Sequence, residues 1–271
     1  HQKGEIDQET CELAKAEPLP GSPRANPSIT PHLLERLVAE GYRGKRCITS
    51  IEKPLQEKVN RIVNEYFQVY AQNEIYNMAA LVLDVETSEV LAYVGNTNCR
   101  TEDCGGQVDI ITAPRSTGSI MKPFLYTFML QDGAILPHSL VPDIPTQIAG
   151  FSPKNFDETY DGAVPASEAL ARSLNIPAVR MLQNYGIENF YQQLSKLQLH
   201  TINQSANHYG LSIILGGAEA TLWDLSNAYM RMAQTLNDEE INVPASLLLR
   251  DSLKDKNLGK EEKVFEPGAL W

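Results

Sequence analysis

Ser119 and Lys122 have the residue types and the spacing that serine nucleophilic catalysis needs. They lie in the segment Pro114–Phe124, where Gly118 directly precedes the serine and permits a tight turn. A serine hydroxyl is a weak nucleophile until a neighbouring base takes its proton. A lysine serves as that base when burial or a nearby cation lowers its pKa. Residues three apart share a helix face, so we expect the two side chains to lie one above the other.

This pair alone does not decide the function, because Ser-x-x-Lys spacings are common by chance. A solvated lysine near a helix start is the ordinary explanation of such a pair. If Ser119 does begin a helix, the free backbone N–H groups there could stabilise an oxyanion.

A second polar pair, Ser173 and Asn175, lies in the segment Ala169–Pro177. A non-helical break before Pro177 would let both side chains reach one cleft. Serine can relay a proton, and asparagine can both donate to and accept from an amide substrate. A simple helix-capping turn is the commoner use of these residue types.

The elements that must position these residues can be outlined from the chain. The 271 residues, 42% of them hydrophobic, suffice for the core of one large domain. The net charge of −11 and the absence of a Lys/Arg cluster argue against nucleic-acid binding. The sequence contains no apolar run of about 18 residues, which a membrane-spanning helix would need, and no signal peptide. Both ends look like cuts in a longer chain.

Local patterns predict an α+β fold. Prolines between Pro18 and Pro27 predict a linker up to about residue 30, and a short helix should run from Pro31 to Gly41. Ser50 is predicted to cap a longer helix, whose apolar stripe would comprise Leu55, Val59, Ile62, Val63, Phe67 and Tyr70. A β-hairpin is expected over 79–95. Helical spacing then recurs over 119–131, 165–174, 176–185, 187–196 and 221–236. The charged stretch 251–262 has no clear structure.

Cys99 and Cys104 are candidates for a disulfide that closes a small loop. The spacing does not match a paired Cys-x-x-Cys zinc site, and no histidine lies beside it. A disulfide would imply an oxidising compartment, whereas two reduced thiols in a turn remain the alternative.

Together the motifs resemble the transpeptidase domain of class A penicillin-binding proteins, specifically the type 1C subgroup. Ser-x-x-Lys followed by Ser-x-Asn is the order found in penicillin-binding proteins and class A β-lactamases. The resemblance runs from about Leu81 to Ala233. It includes Leu91–Gly95, Arg115–Phe124, Pro153–Asp157, Gly162–Val164, Ala169–Val179 and Tyr209–Gly217. Segments before it, Ala16–Pro20, Thr49–Ile51 and Leu55–Gln56, are similar to the linker between glycosyltransferase and transpeptidase in that subgroup.

The resemblance implies a transpeptidase or serine β-lactamase-like α+β fold, with an antiparallel sheet flanked by helices. Residues 1–47 would be the linker region and residues 48–271 the transpeptidase domain. Ser119 would attack the penultimate D-Ala of a peptidoglycan stem peptide, with Lys122 as base. Ser173 would pass a proton to the leaving amine, and Asn175 would hold the substrate amide and Lys122. Gly118 and Asn155 would contribute to substrate binding.

The resemblance also implies partners and a location. β-Lactams should acylate Ser119 as mimics of D-Ala-D-Ala, and no metal or organic cofactor is needed. The parent protein would be anchored in the inner membrane, with this domain on the periplasmic side and no role for nucleic acid.

One family motif is absent from the sequence. The family carries Lys-Thr/Ser-Gly on a strand beyond Ser-x-Asn, and no lysine after Asn175 precedes Thr-Gly or Ser-Gly. We therefore expect a fragment that lacks the C-terminal strands and has little or no activity, because losing one oxyanion donor costs about a hundred- to a thousandfold. The hairpin would then expose an unpaired edge that favours dimerisation.

Two other functions remain open from the sequence. One is a serine D,D-carboxypeptidase or β-lactamase, although neither Glu188 nor Glu219 lies in the Glu-x-x-x-Asn context of a class A β-lactamase. The other is a non-catalytic scaffold module of cell-wall synthesis, against which the intact Ser119, Lys122, Ser173 and Asn175 argue.

Overall fold

The fold combines helices with short antiparallel strands, in agreement with the predicted α+β class. The computed structural model describes residues 4, 6–17, 28–97, 99, 104–148, 150–237, 244–249 and 263–270. The helices are α1 (Gln8–Ala16), α2 (Pro31–Leu37), α3 (Lys53–Tyr70), α4 (Lys122–Gln131), α5 (Ala166–Ala171), α6 (Asn175–Tyr185), α7 (Ile187–Lys196), α8 (Ala206–Tyr209), α9 (Leu222–Leu236) and α10 (Pro267–Leu270). The strands are β1 (Ala80–Leu83), β2 (Val90–Val94), β3 (Arg115–Ser116), β4 (Leu140–Asp143), β5 (Gly162–Pro165) and β6 (Glu219–Ala220).

Strands β1 and β2 form the predicted hairpin. They are antiparallel, with Ala80 opposite Val94. In the turn between them, Ser88 adopts a left-handed φ of 55° and is fully buried. Its Oγ accepts a hydrogen bond of 2.8 Å from Gln234 Nε2 on α9. The hairpin is thereby fixed to the last long helix.

Helix α3 packs on β2 through a polar side chain. Gln56 is fully buried, and its Oε1 accepts from Tyr93 N at 2.7 Å while its Nε2 donates to Tyr93 O at 3.0 Å. The predicted apolar stripe is therefore only partly buried: Val63 lies in the core, but Ile62 is 41% exposed and Tyr70 is 40% exposed. The predicted stripe was wrong at these two positions, because the buried face of α3 runs through Gln56 and Val63 instead.

The start of α3 also differs from the prediction. Glu52, not Ser50, precedes the helix, and Pro54 stands in its first turn as expected. The Ser50 hydroxyl instead donates to Val90 O at 2.9 Å and ties the chain to β2. The short helix α2 does begin at Pro31, and its extension ends near Gly41, whose φ is 90°.

The predicted linker contains helix α1, which was not predicted from the sequence. Asp7 caps it by accepting from Thr10 N at 2.7 Å, and none of its residues is buried. Residues 18–27, to which the proline argument applies, lie outside the described residues, as does the charged stretch 251–262.

Helix α4 is the centre of the main hydrophobic core. Phe124, Leu125 and Phe128 are at most 1% exposed. The ring of Phe128 stacks on Phe265 at a centroid distance of 5.5 Å and meets Phe190 of α7 edge-on at 6.5 Å. The helix that begins with Lys122 is therefore rigidly held from several sides.

Strands β3 to β6 form two further pairs that the sequence did not reveal. β3 pairs antiparallel with β6, and β4 pairs antiparallel with β5. Strands of two to four residues are too short for an alternating pattern to be recognised. Both pairs adjoin the segments that carry the polar motifs.

None of the helices within the described ranges is both long enough and apolar enough to cross a membrane.

Candidate active site

Ser119 lies in a 3₁₀ turn, Gly118–Met121, that continues directly into α4. Gly118 has a φ of +52°, so the glycine provides the tight turn that the sequence predicted. Met121 is fully buried, whereas Ser119 is exposed. Because Ser119 is in the first turn, its backbone N–H has no partner within the helix. The serine is therefore accessible to a substrate from solvent.

The segment before the Ser119 turn is fixed by two neighbouring residues, Gly216 and Ala218. Ser116 Oγ donates to Gly216 O at 2.8 Å, and Thr117 N donates to Ala218 O at 3.1 Å. Gly216 has a φ of +102°, and a Cβ there would lie 2.6 Å from Ser116 Oγ and 2.9 Å from Gly118 N. Only glycine allows this close approach. No role was predicted for Gly216, although the consecutive glycines at 216 and 217 are a turn signal.

Tyr229 of α9 fixes the same turn from another side. Its hydroxyl donates to Ile120 O at 2.8 Å, and its ring packs on Phe124 at a centroid distance of 4.8 Å. Burial raises the pKa of Tyr229 to about 12, so the phenol remains a neutral donor at physiological pH.

Lys122 is buried beneath the exposed serine, with a relative exposure of 3%. Burial lowers the pKa of Lys122 to about 8. Its Nζ donates to Ser173 O at 2.7 Å, Asn175 Oδ1 at 2.8 Å and Ser173 Oγ at 3.2 Å. None of these three acceptors belongs to Ser119. Ser119 and Lys122 are related by their positions one helix turn apart. A lysine in this state can lose its proton near neutral pH and act as a base.

Ser173 and Asn175 flank the break between α5 and α6. Ser173 adopts a left-handed φ of 53°, and Leu174 N donates to Ala169 O at 2.9 Å, which closes the end of α5. Asn175 then begins α6, and its Nδ2 donates to Lys154 O at 2.8 Å. The predicted non-helical break is present, and it turns both polar side chains towards Lys122.

Asn155 lies behind this site rather than in it. The side chain is 3% exposed, and its Oδ1 accepts from the backbone N–H groups of Asn175 at 3.0 Å and Ile176 at 3.2 Å. Its Nδ2 donates to Asp143 Oδ1 at 2.7 Å. With its amide fully engaged, Asn155 has no group to offer a substrate, and the expectation that it binds substrate is corrected on this ground.

The sequence motifs thus form one arrangement. Lys122, Ser173 and Asn175 are in direct hydrogen-bond contact, and Ser119 stands exposed one helix turn from the lysine. A hydroxyl, a buried amine of lowered pKa, a second hydroxyl and an amide are the groups that acyl transfer through a serine needs.

Cys99 and Cys104 are joined in a disulfide, with Cα atoms 6.2 Å apart. The loop follows β2, and Asn77 Nδ2 donates to Cys104 O at 2.6 Å. The other cysteines, Cys11 and Cys47, are free.

Comparison of the sequence with protein families and curated proteins gives one consistent result. Residues 78–240, more than half of the chain, match the profile of the penicillin binding protein transpeptidase domain. The chain is 32% identical to penicillin-binding protein 1C of Escherichia coli, over 86% of this chain and 30% of that protein. It is 26% identical to penicillin-binding protein 1B of Vibrio cholerae, over 84% of this chain and 30% of that protein. The chain thus spans about a third of the length of these relatives.

Solved structures agree on the fold. The apo transpeptidase domain of Burkholderia pseudomallei penicillin-binding protein 3 superposes with a TM-score of 0.62 at 18% identity, covering 82% of this chain and 67% of that one. A structure described as a peptidoglycan glycosyltransferase from Burkholderia ambifaria gives a TM-score of 0.63 at 20% identity, with 82% and 70% covered. From the matched profile and the shared identity with the type 1C relative, the chain belongs to the penicillin-binding protein transpeptidase domain family.

Proposed function

We propose that this chain carries the acylation site of a D,D-transpeptidase and that Ser119 is the residue acylated. The observation that supports this most strongly is Lys122, which is buried, has a pKa lowered to about 8 and lies one helix turn from the exposed serine. The neutral lysine takes the Ser119 proton as the oxygen attacks a carbonyl carbon. The Ser119 N–H stabilises the developing oxyanion.

Ser173 and Asn175 complete the proton path and the substrate contact. The Ser173 hydroxyl lies 3.2 Å from Lys122 Nζ, close enough to pass that proton to the departing amine. Asn175 holds the lysine through Oδ1, and the second N–H of its Nδ2, beside the one that donates to Lys154 O, is offered to the substrate backbone. Gly118 allows the substrate to approach closely because it has no side chain.

The substrate is a peptidoglycan stem peptide that ends in D-Ala-D-Ala. Ser119 forms an ester with the penultimate D-Ala while the terminal D-Ala leaves, and an amine of a second stem peptide then displaces the serine to form the cross-link. β-Lactams acylate the same oxygen. Ser119 attacks the carbonyl carbon of their ring amide as it attacks the penultimate D-Ala, and the ring C–N bond opens.

The parent protein is a bifunctional, membrane-anchored synthase, with residues 1–47 as the linker to its glycosyltransferase and this domain in the periplasm. The type 1C relative and the Cys99–Cys104 disulfide support this assignment, because disulfides persist in oxidising compartments. The edge of β1 away from β2 has no strand partner among the described residues, and we expect two copies to pair along it.

The rate of Ser119 acylation that we expect for this chain takes account of the missing Lys-Thr/Ser-Gly triplet. This motif supplies an oxyanion donor and a cation in the family, and the sequence after Asn175 does not contain it. Acylation of this chain alone should be slower than in a protein with all three motifs by about a hundred- to a thousandfold.

The test is intact-mass spectrometry of the chain during long incubation with benzylpenicillin. We expect a slowly formed adduct of one penicilloyl group, located on Ser119 by peptide mapping and absent in Ser119→Ala. A lasting adduct supports the transpeptidase, whereas turnover of a chromogenic cephalosporin without a lasting adduct supports a hydrolase. No adduct at saturating antibiotic contradicts acylation by this chain and favours a scaffold role.

A further inference from the structure

Helix α6, which begins with Asn175, has no cap of its own. The residue at the N-cap position is Leu174, whose side chain has no hydrogen-bond acceptor. The first backbone N–H groups of a helix need acceptors from outside it. Asn155, twenty residues earlier in the chain, supplies one: its Oδ1 accepts from Asn175 N at 3.0 Å and Ile176 N at 3.2 Å. A remote side chain thus does the work that a serine or aspartate usually does locally.

Asp143 fixes the orientation of that remote cap. Asn155 Nδ2 donates to Asp143 Oδ1 at 2.7 Å and to Thr159 O at 3.0 Å. Asp143 belongs to β4, is 1% exposed, and accepts from Asp161 N at 3.0 Å through its other oxygen. Each polar atom of the Asn155 amide therefore has a partner that permits only one of its two orientations.

Asp143 and Asn155 connect the β4–β5 strand pair to the hydrogen bonds of Lys122. Asp143 holds Asn155, Asn155 holds the first turn of α6, and Asn175 in that turn accepts from Lys122 Nζ at 2.8 Å. We infer that Asp143 and Asn155 are positioning residues, which set the place of Asn175 and through it the direction of the Lys122 amine. This inference rests on the proposed function, because it assigns the pair to the acylation step at Ser119.

The rate of acylation in Asn155→Ala tests the inference. Removing the cap leaves the half-buried N–H of Asn175 and the buried N–H of Ile176 without an acceptor and lets Asn175 shift. A misplacement of about 1 Å can cost about a hundredfold in rate. We expect the limiting acylation rate at saturating penicillin to fall by about ten- to a hundredfold. The control is Asn227→Ala on α9, where the amide also joins two segments, accepting from Ala245 N at 2.7 Å and donating to Trp223 O at 2.8 Å. That control should acylate like the parent chain.

A paired exchange separates positioning from loss of stability. Asn155→Asp keeps an acceptor for α6 but sets two carboxylates side by side, and it should slow acylation strongly. Adding Asp143→Asn to that variant restores a donor between the two side chains and should recover most of the lost rate. Failure of the double variant to recover any rate, while its circular dichroism remains that of the parent, would overturn the inference.

Amide hydrogen exchange provides a measurement that does not need acylation. In folded Asn155→Ala, the N–H groups of Asn175 and Ile176 should exchange at least about tenfold faster than in the parent and in Asn227→Ala. If the parent is not acylated, the proposed function fails while exchange still tests the cap. If the parent is acylated and both rate and exchange are unchanged in Asn155→Ala, the positioning role is wrong.

Discussion

At the scale of the residue, the burial of Lys122 is what turns a common sequence spacing into a chemical site. The sequence placed a lysine three residues after a serine, and this alone could have described a solvated side chain. The structure buries the amine and surrounds it with Ser173 and Asn175. That Lys122, Ser173 and Asn175 lie together was predictable, because their types and spacing are themselves the motif. The supporting contacts of Asn155 and Gly216 were not, because they join segments far apart in the chain.

The pH dependence of acylation follows from the lowered pKa of Lys122. The lysine is a base only when neutral, and its pKa of about 8 means that the neutral fraction grows as pH rises through that value. We expect the acylation rate to increase from pH 6 to a plateau above about 9, following a single titration near 8. Stopped aliquots analysed by intact mass give this profile.

Substitution of Lys122 provides the matching control. Lys122→Met should abolish acylation at every pH. Lys53 is an exposed lysine of α3, and Lys53→Met should leave the pH profile of acylation unchanged. A profile that is flat between pH 6 and 9 in the parent chain would contradict the assignment of Lys122 as base.

Gly216→Ala tests the close approach beside the Ser119 turn. The left-handed backbone costs a non-glycine residue about 1–2 kcal/mol, and the new Cβ would also lie 2.6 Å from Ser116 Oγ. We expect a loss in the free energy of unfolding of more than about 2 kcal/mol, together with slower acylation. Gly133→Ala is the control, since Gly133 also has a positive φ but open space around it. Equal losses in urea denaturation of the two variants would refute a role for the close approach.

At the scale of the element, helices were predictable and short strands were not. The segments predicted over 119–131, 176–185, 187–196 and 221–236 correspond to helices, because each repeats its apolar positions for two or more turns. The strands β3 to β6 have two to four residues and exist only through their partners. The prediction that Ser50 caps α3 was wrong for a similar reason, since its hydroxyl donates to the carbonyl of Val90, forty residues away in the chain.

Packing around α4 should dominate the stability of the domain. Phe128 is 1% exposed and touches Phe190 and Phe265, so Phe128→Ala removes a large buried ring and leaves a cavity. We expect a loss of about 3–5 kcal/mol in the free energy of unfolding. Phe156→Ala makes the same chemical change at a fully exposed ring and should stay within about 0.5 kcal/mol of the parent. Denaturation curves of the two variants that coincide would contradict this picture of the core.

At the scale of the whole molecule, the free edge of β1 bears on association. The described residues pair β1 with β2 alone, and an unpaired strand edge is a template for another chain. We expect the average mass from light scattering to rise towards that of a dimer as the concentration increases. A mass that remains that of one chain at the highest soluble concentration would argue against pairing through this edge.

The redox state of Cys99 and Cys104 depends on the compartment in which a chain is found, because their disulfide persists where conditions are oxidising. A chain that has met an oxidant has lost two hydrogens at this loop, and a chain retained among reducing thiols has kept them. Free thiols are alkylated before lysis, and mass spectrometry of the peptide that contains both cysteines then gives the ratio of oxidised to reduced chains in one culture. This ratio tests the proposed periplasmic location of the domain without any measurement of activity.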